Sequence, residues 1–205
     1  MPRWQELSVL VNGVNRYAAH AELDRLFSRH KRHDVSGQPR WRYAFFQFGE
    51  KYLGVIRSTD RIMSELFGRD QGLTAVDGPA PDEDLDFLIH FAPSKGRHFT
   101  SFRTCDAFAI DMLRSKLAHA IDISSIQIES RTSENIAKPK FVHTLPTAVF
   151  RIKGVVLDAQ ATADIFMYGV GSGKAFGFGL PLSSKHPTAG LLRQSGLLVN
   201  PRLAT

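Results

Sequence analysis

The chain has 205 residues, 43% hydrophobic and 22% charged, which is the balance of a folded protein and enough length for one large domain or two small ones. Its formal net charge of +6 and pI of about 9.7 point to a polyanionic partner, nucleic acid first, although a basic protein without such a partner has the same balance. The single cysteine, Cys105, excludes an internal disulfide framework and a cysteine-rich zinc site and fits a reducing cytoplasm. The opening run MPRWQELSVLVNGVNR carries Glu6 and too short an apolar stretch for a signal peptide, and no segment reaches the ~20 apolar residues of a membrane-spanning helix.

In chain order, Leu7 to Val14 is rich in Leu and Val and predicts a strand. From Tyr17 the period lengthens: Ala19, Leu23, Leu26, Phe27 and His30 recur at helical spacing, predicting an amphipathic helix to about Lys31 with Asn15 in the N-cap position. Asp34 to Pro39 has the composition of a loop. The aromatic stretch Arg40 to Phe48, the turn Gly49-Glu50-Lys51 and the run Tyr52 to Arg57 predict a hairpin. A short helix ending at Phe67 and a strand near Leu73 to Val76 complete a β-α-β-β-α-β order, the ferredoxin-like pattern.

The polar stretch Asp77-Gly-Pro-Ala-Pro-Asp-Glu-Asp84 marks a boundary, and the pattern then restarts. Strands are predicted at Leu85 to Phe91, Ile123 to Glu129 and Thr147 to Leu157, helices at Cys105 to Ala120 and Ala161 to Tyr168, and a last short strand near Phe178 to Leu182. The expected fold class is α+β with two tandem ferredoxin-like domains, residues 1–78 and 82–185. Residues 186–205 read as a tail whose Leu191, Leu192, Leu197 and Leu198 could dock on the body.

Two strings carry chemistry. Gly169-Val-Gly-Ser-Gly-Lys-Ala-Phe-Gly-Phe-Gly179 follows a predicted helix and holds Gly171, Ser172, Gly173 and Lys174. Such a loop brings backbone amides close to a phosphate, or serves only as a tight connection. It is not a P-loop, because Tyr168 stands where the first glycine belongs and Ala175 follows Lys174. The order helix, loop, strand also rules out a dinucleotide fingerprint. The second string is Tyr17-Ala-Ala-His20. At ~100° per residue, His20 falls at the edge of the apolar stripe and Tyr17 one step further round, with Asp24 and Lys31 along the same edge. A polar line beside a buried face borders a cleft, or is simply a packing boundary. A histidine with a pKa near ~6.5 can give or take a proton at neutral pH.

Both strings resemble motifs of the CasE-type CRISPR-associated endoribonucleases. The C-terminal string is similar to that family's glycine-rich motif, here Gly169, Gly171, Lys174, Gly177, Gly179 and Leu180 after the run Gly154 to Leu157. The first helix is similar to the family's helix with Tyr-x-x-His. The resemblance implies two RAMP-type ferredoxin-like domains, His20 as general acid/base with Tyr17 beside it, and metal-independent cleavage of a CRISPR repeat stem-loop without a cofactor. It further implies a cyclic 2′,3′-phosphate or 3′-phosphate product and retention in an interference complex in the cytoplasm. Arg16, Lys31 and Arg32 near the His20 edge, Lys138 and Lys140 in a loop predicted at Asn135 to His143, and the residues 171–174 are the expected RNA contacts. Arg25 and Arg29 project away from the stripe and read as a solvated face. The eight histidines form no H-E-x-x-H or His/Cys pattern, so no metal site is expected. A non-catalytic subunit that caps the guide RNA, or a basic RNA-binding module outside CRISPR systems, stays open as an alternative.

Overall fold

The computed structural model describes residues 3–30, 32–35, 37–59, 62–67, 72–93, 102–138, 141–171, 174 and 177–198, with the backbone alone at 102–105, 135–138 and 141–143. The first half runs β1 (Arg3–Asn12), α1 (Arg16–Leu26), β2 (Trp41–Phe48), β3 (Lys51–Ser58), α2 (Ile62–Phe67) and β4 (Thr74–Asp77). The second runs β5 (Asp84–Phe91), α3 (Phe102–Leu117), β6 (Ile121–Lys138), β7 (Phe141–Val156), α4 (Ala159–Tyr168) and β8 (Pro181–Ser183), followed by α5 (Pro187–Gln194). The strand orders β2-β3-β1-β4 and β6-β7-β5-β8 repeat one ferredoxin-like topology twice. Among the described residues no helix is long and apolar enough to cross a membrane.

The alternation of each central strand decides which face it buries. In β1, Leu7 and Val11 join Ala19, Leu23 and Phe27 from the first helix and Tyr43, Phe45 and Ile56 from the hairpin. The second sheet builds its own core in the same way, with Phe87, Ile89, Phe150 and Ile152 under Leu113, Leu117 and Phe166. Residues on the opposite strand faces form a third core shared by both halves. There Ala44, Phe46, Leu53 and Val55 meet Leu88, Val149, Leu180 and Leu182.

Three expectations change. The described part of the segment expected as a tail, residues 186–198, joins that shared core: Ala189 and Leu192 of α5 and Leu198 beyond it are buried, while Leu191 faces solvent. The first helix ends at Leu26 instead of Lys31, because the chain turns at Phe27, whose ring stacks on Trp41 at 4.6 Å. The following segment folds back, with Arg40 N–H donating to the Arg32 carbonyl at 2.9 Å. The loop expected at Asn135 to His143 is the end of a long hairpin, paired without interruption from Thr132↔Thr147 to Lys138↔Phe141.

A buried ion cluster locks α5 down. Arg57 on β3 donates to Glu6 on β1, and its Nη1 donates to the Phe166 carbonyl at 2.5 Å. His186, the N-cap of α5, meets the other Glu6 oxygen at 2.6 Å. Burial pushes the Glu6 carboxyl up, but Arg57 and His186 outweigh it and hold it at about 2, against an ordinary 4.5. A depressed carboxylate pKa gives stability that is present above the unfolded value and lost as pH falls through the folded one. Urea unfolding should therefore weaken by ~3 kcal/mol between pH 4.5 and pH 2. Glu6→Gln should flatten that window, and an unchanged slope in the variant would show that other groups carry it.

Candidate active site

The first helix is fixed at its start. Asn15 caps it, its side chain accepting from Ala18 N–H at 2.9 Å. The next residue, Arg16, has no exposed surface. Its guanidinium donates to Glu134 on β6 at 2.7 Å and to the Phe45 carbonyl on β2 at 3.1 Å. It also reaches His90 Nδ1 on β5 at 3.1 Å and lies 4.1 Å from the Phe178 ring in the chain after the glycine loop. Four segments from both halves thus converge on one side chain.

The charges in this network follow from burial. Burial pushes Glu134 up, but Arg16 prevails and holds it ionised. Burial, then Arg16, drives His90 down to about 3, so it stays neutral. His90 Nδ1 lies 3.1 Å from both the Arg16 guanidinium and the Phe45 carbonyl, and its Nε2 is 3.0 Å from the Thr147 hydroxyl. Burial, then Glu134, pushes the Tyr52 phenol to about 12. Arg16, expected as an RNA contact, is instead enclosed, with its charge paired to Glu134, and it joins the first helix to the second half.

One turn along, the helix presents its other edge. His20 keeps 13% of its side chain exposed and lies 3.2 Å from the Asp24 carboxylate through Nε2. Its Nδ1 contacts the hydroxyl of Tyr43, which is 3% exposed on β2. The Tyr17 ring stands 6.3 Å from the imidazole. Arg32 reaches the same Asp24 oxygen at 3.6 Å. The pair expected from sequence, Tyr17 and His20, is therefore together, with Asp24, Tyr43 and Arg32 added around it. The alternation Trp41, Tyr43, Phe45 turns all three under the helix, and the place of Tyr43 beside His20 comes from that packing.

A run of cations leads from Arg32 toward the glycine loop. Burial, then Arg32, lowers the Arg42 pKa, and burial, then Arg42 and Lys116, lowers that of Lys174. The Arg42 Nε is buried without a hydrogen-bond partner among the described residues. Like charges gathered this way favour an anionic occupant. The expected contacts Lys31, Lys140, Ser172 and Gly173 lie outside the described residues, as does the Lys138 side chain.

Packing accounts for several of the loop glycines. Gly171 and Gly177 have φ of 86° and 74°. A Cβ on them would stand 2.7 Å from the Phe91 ring and 2.8 Å from the Phe45 ring respectively. The loop is stitched to both sheets, Phe45 N–H donating to the Gly177 carbonyl at 3.2 Å and Gly179 N–H to the His90 carbonyl at 2.8 Å. Among the described residues, no three His, Cys, Asp or Glu side chains gather as a metal site.

No protein-family model matches the chain, and no curated protein matches it by sequence. Solved structures do. One is the Thermus thermophilus Cse3 bound to an RNA representing a pre-cleavage complex, 18% identical, with a TM-score of 0.59 over 89% of this chain and 98% of that one. A second is the CRISPR-associated protein Cas6e from Escherichia coli K-12, 14% identical, with a TM-score of 0.57 over 88% and 97%. A third is a chain of a CRISPR RNA-guided surveillance complex, 15% identical, with a TM-score of 0.65 over 87% and 97%. At these identities the likeness is one of fold: the chain shares their double ferredoxin-like architecture over nearly its whole length and theirs.

The Arg16 network predicts an asymmetry. Arg16→Met leaves Glu134 buried without its charge partner and should cost ~3–5 kcal/mol in urea unfolding. Adding Glu134→Met should recover most of that loss. Additive losses in the double variant would show that the pair is not coupled.

Proposed function

We propose that this chain is a CRISPR repeat-processing endoribonuclease. It binds a repeat stem-loop, cuts at the 3′ base of the stem, and stays on the product in the cytoplasm as a subunit of an interference complex. The observation that carries the reading is His20. It is a half-enclosed imidazole on the first helix, backed by a buried tyrosine, flanked by Tyr17, and continuous with the cation run Arg32, Arg42 and Lys174. The fold is shared with structures solved with RNA bound.

The chemistry follows from the substrate. RNA brings its own nucleophile: the 2′-oxygen attacks the adjacent phosphorus, the P–O5′ bond breaks, and its electron pair leaves on the 5′-oxygen. One proton departs the 2′-hydroxyl and one arrives on the 5′-oxygen, so the step needs neither water nor a redox partner. The products are a 2′,3′-cyclic phosphate and a free 5′-hydroxyl. An imidazole moves one of these protons, a contribution of ~10²–10⁴-fold. The remaining demand, an anionic pentacoordinate phosphate, is met by cations fixed in place instead of by a metal ion.

Cleavage of the cognate repeat RNA should proceed in excess chelator, and His20→Ala should slow it by ~10²–10⁴-fold. Equal rates would remove His20 from the mechanism, and a requirement for a divalent ion would overturn the chemistry. Tight binding with no cleavage would instead make the chain a capping subunit. Lys174→Ala should weaken RNA binding at low salt and lower the slope of log K against log salt by ~1. An unchanged slope would place Lys174 off the RNA.

A further inference from the structure

Both ring nitrogens of His20 are occupied, and the two occupants differ in kind. Tyr43 holds Nδ1 from inside. Its ring is buried between His20, at 5.7 Å, and Phe45, at 4.9 Å, and cannot withdraw without opening the first core. Asp24 holds Nε2 from outside, with 36% of its side chain exposed. A carboxylate only accepts hydrogen bonds, so a neutral His20 carries its proton on Nε2 and accepts from the Tyr43 hydroxyl at Nδ1. For RNA to meet this imidazole, the partner that gives way must be the exposed one.

Asp24 has two further properties. Its Oδ2 lies between His20 Nε2 at 3.2 Å and Arg32 Nη1 at 3.6 Å, so one anionic oxygen bridges a proton donor and a guanidinium. Those are the two groups that a phosphate at the reaction centre would use. Its Oδ1 is buried without a hydrogen-bond partner among the described residues. A carboxylate with one oxygen desolvated and unpaired is held less firmly than a fully satisfied one, and displacing it costs less.

We propose that Asp24 is a placeholder for the scissile phosphate, closing His20 Nε2 and Arg32 against each other until an anion displaces it, and that Tyr43 is the positioning residue that makes Nε2 the working nitrogen. The RNA part of this inference rests on the function proposed above; the placeholder itself does not. Among the described residues, the charged groups facing the imidazole include Asp24 and, through it, Arg32, with the phenols of Tyr17 and Tyr43 beside the ring. When RNA enters, its phosphate takes the Nε2 proton and the guanidinium, and Asp24 swings to solvent.

The first test needs no cleavage. In protein labelled with nitrogen-15 at histidine, titration with inorganic phosphate at low salt should move the His20 Nε2 resonance and leave Nδ1 almost still. Asp24→Asn should respond at about two- to fivefold lower phosphate, the gain from removing one competing ion pair. Equal affinity in both proteins, or a response at Nδ1, would overturn the proposal whether or not the chain cuts RNA.

The second test uses repeat RNA and the whole chain. Asp24→Asn should lower KM by about two- to fivefold and shift the His20 limb of the kcat/KM profile to lower pH, because that profile reports the free enzyme. A tenfold or greater fall in kcat at unchanged KM would make Asp24 a partner kept through the reaction and defeat the placeholder role. Tyr43→Phe keeps the ring in the core and should lower kcat at least tenfold with KM little changed. An unchanged kcat in that variant would remove Tyr43 from the assignment.

Discussion

The buried pair between Arg16 and Glu134 is the constraint around which the rest is arranged. Taking two charges out of water is expensive, and such pairs are weak sources of net stability. What this one supplies is geometry. Its guanidinium is satisfied only when the start of α1, the β2 backbone at Phe45, β5 at His90 and β6 at Glu134 are all in place. Any other docking of the two halves would leave a charge stranded in the interior. A second ionic cluster, Glu6 with Arg57 and His186, ties the C-terminal helix across the same seam.

That arrangement explains how a histidine on a short amphipathic helix is held in a fixed position. Arg16 anchors the inward side of α1 at its first turn, while His20 lies one turn later on the side that borders solvent. The imidazole inherits the position of the helix, and Tyr43 refines it from the sheet beneath. The glycine loop belongs to the same frame. Its Gly177 rests on Phe45, the residue whose carbonyl receives Arg16, so one β2 position is shared by the loop and the anchor of the helix. The cations Arg32, Arg42 and Lys174 come from three segments that this packing brings together.

Much of the fold was legible because strand and helix periods are strong in the two cores. The alternation in β1 and the stripe Ala19, Leu23, Phe27 allow one arrangement, and the repeated element order gave the tandem topology. What was not legible depends on partners distant in sequence. Arg16 reads as a surface cation because nothing nearby announces Glu134, 118 residues away. Residues 186–205 read as a tail because Leu192 and Leu198 dock on a core that exists only once both sheets meet. The hairpin of β6 and β7 was hidden because the polar stretch before Lys138 reads as a loop until its partner strand is in place. In the site, the spacing of Tyr17 and His20 was visible, but the partners of the imidazole on β2 and beyond the helix emerge only from packing.

The central claim is that this chain cuts RNA with the nucleophile the RNA supplies, using protein groups alone. Single-turnover cleavage in excess chelator tests it most directly, comparing a cognate repeat RNA with the same RNA carrying a 2′-deoxy nucleotide at the cut. The account predicts cleavage of the first to a 2′,3′-cyclic phosphate and a 5′-hydroxyl, and none of the second. Cleavage of the deoxy substrate, or a 5′-phosphate product, would contradict it.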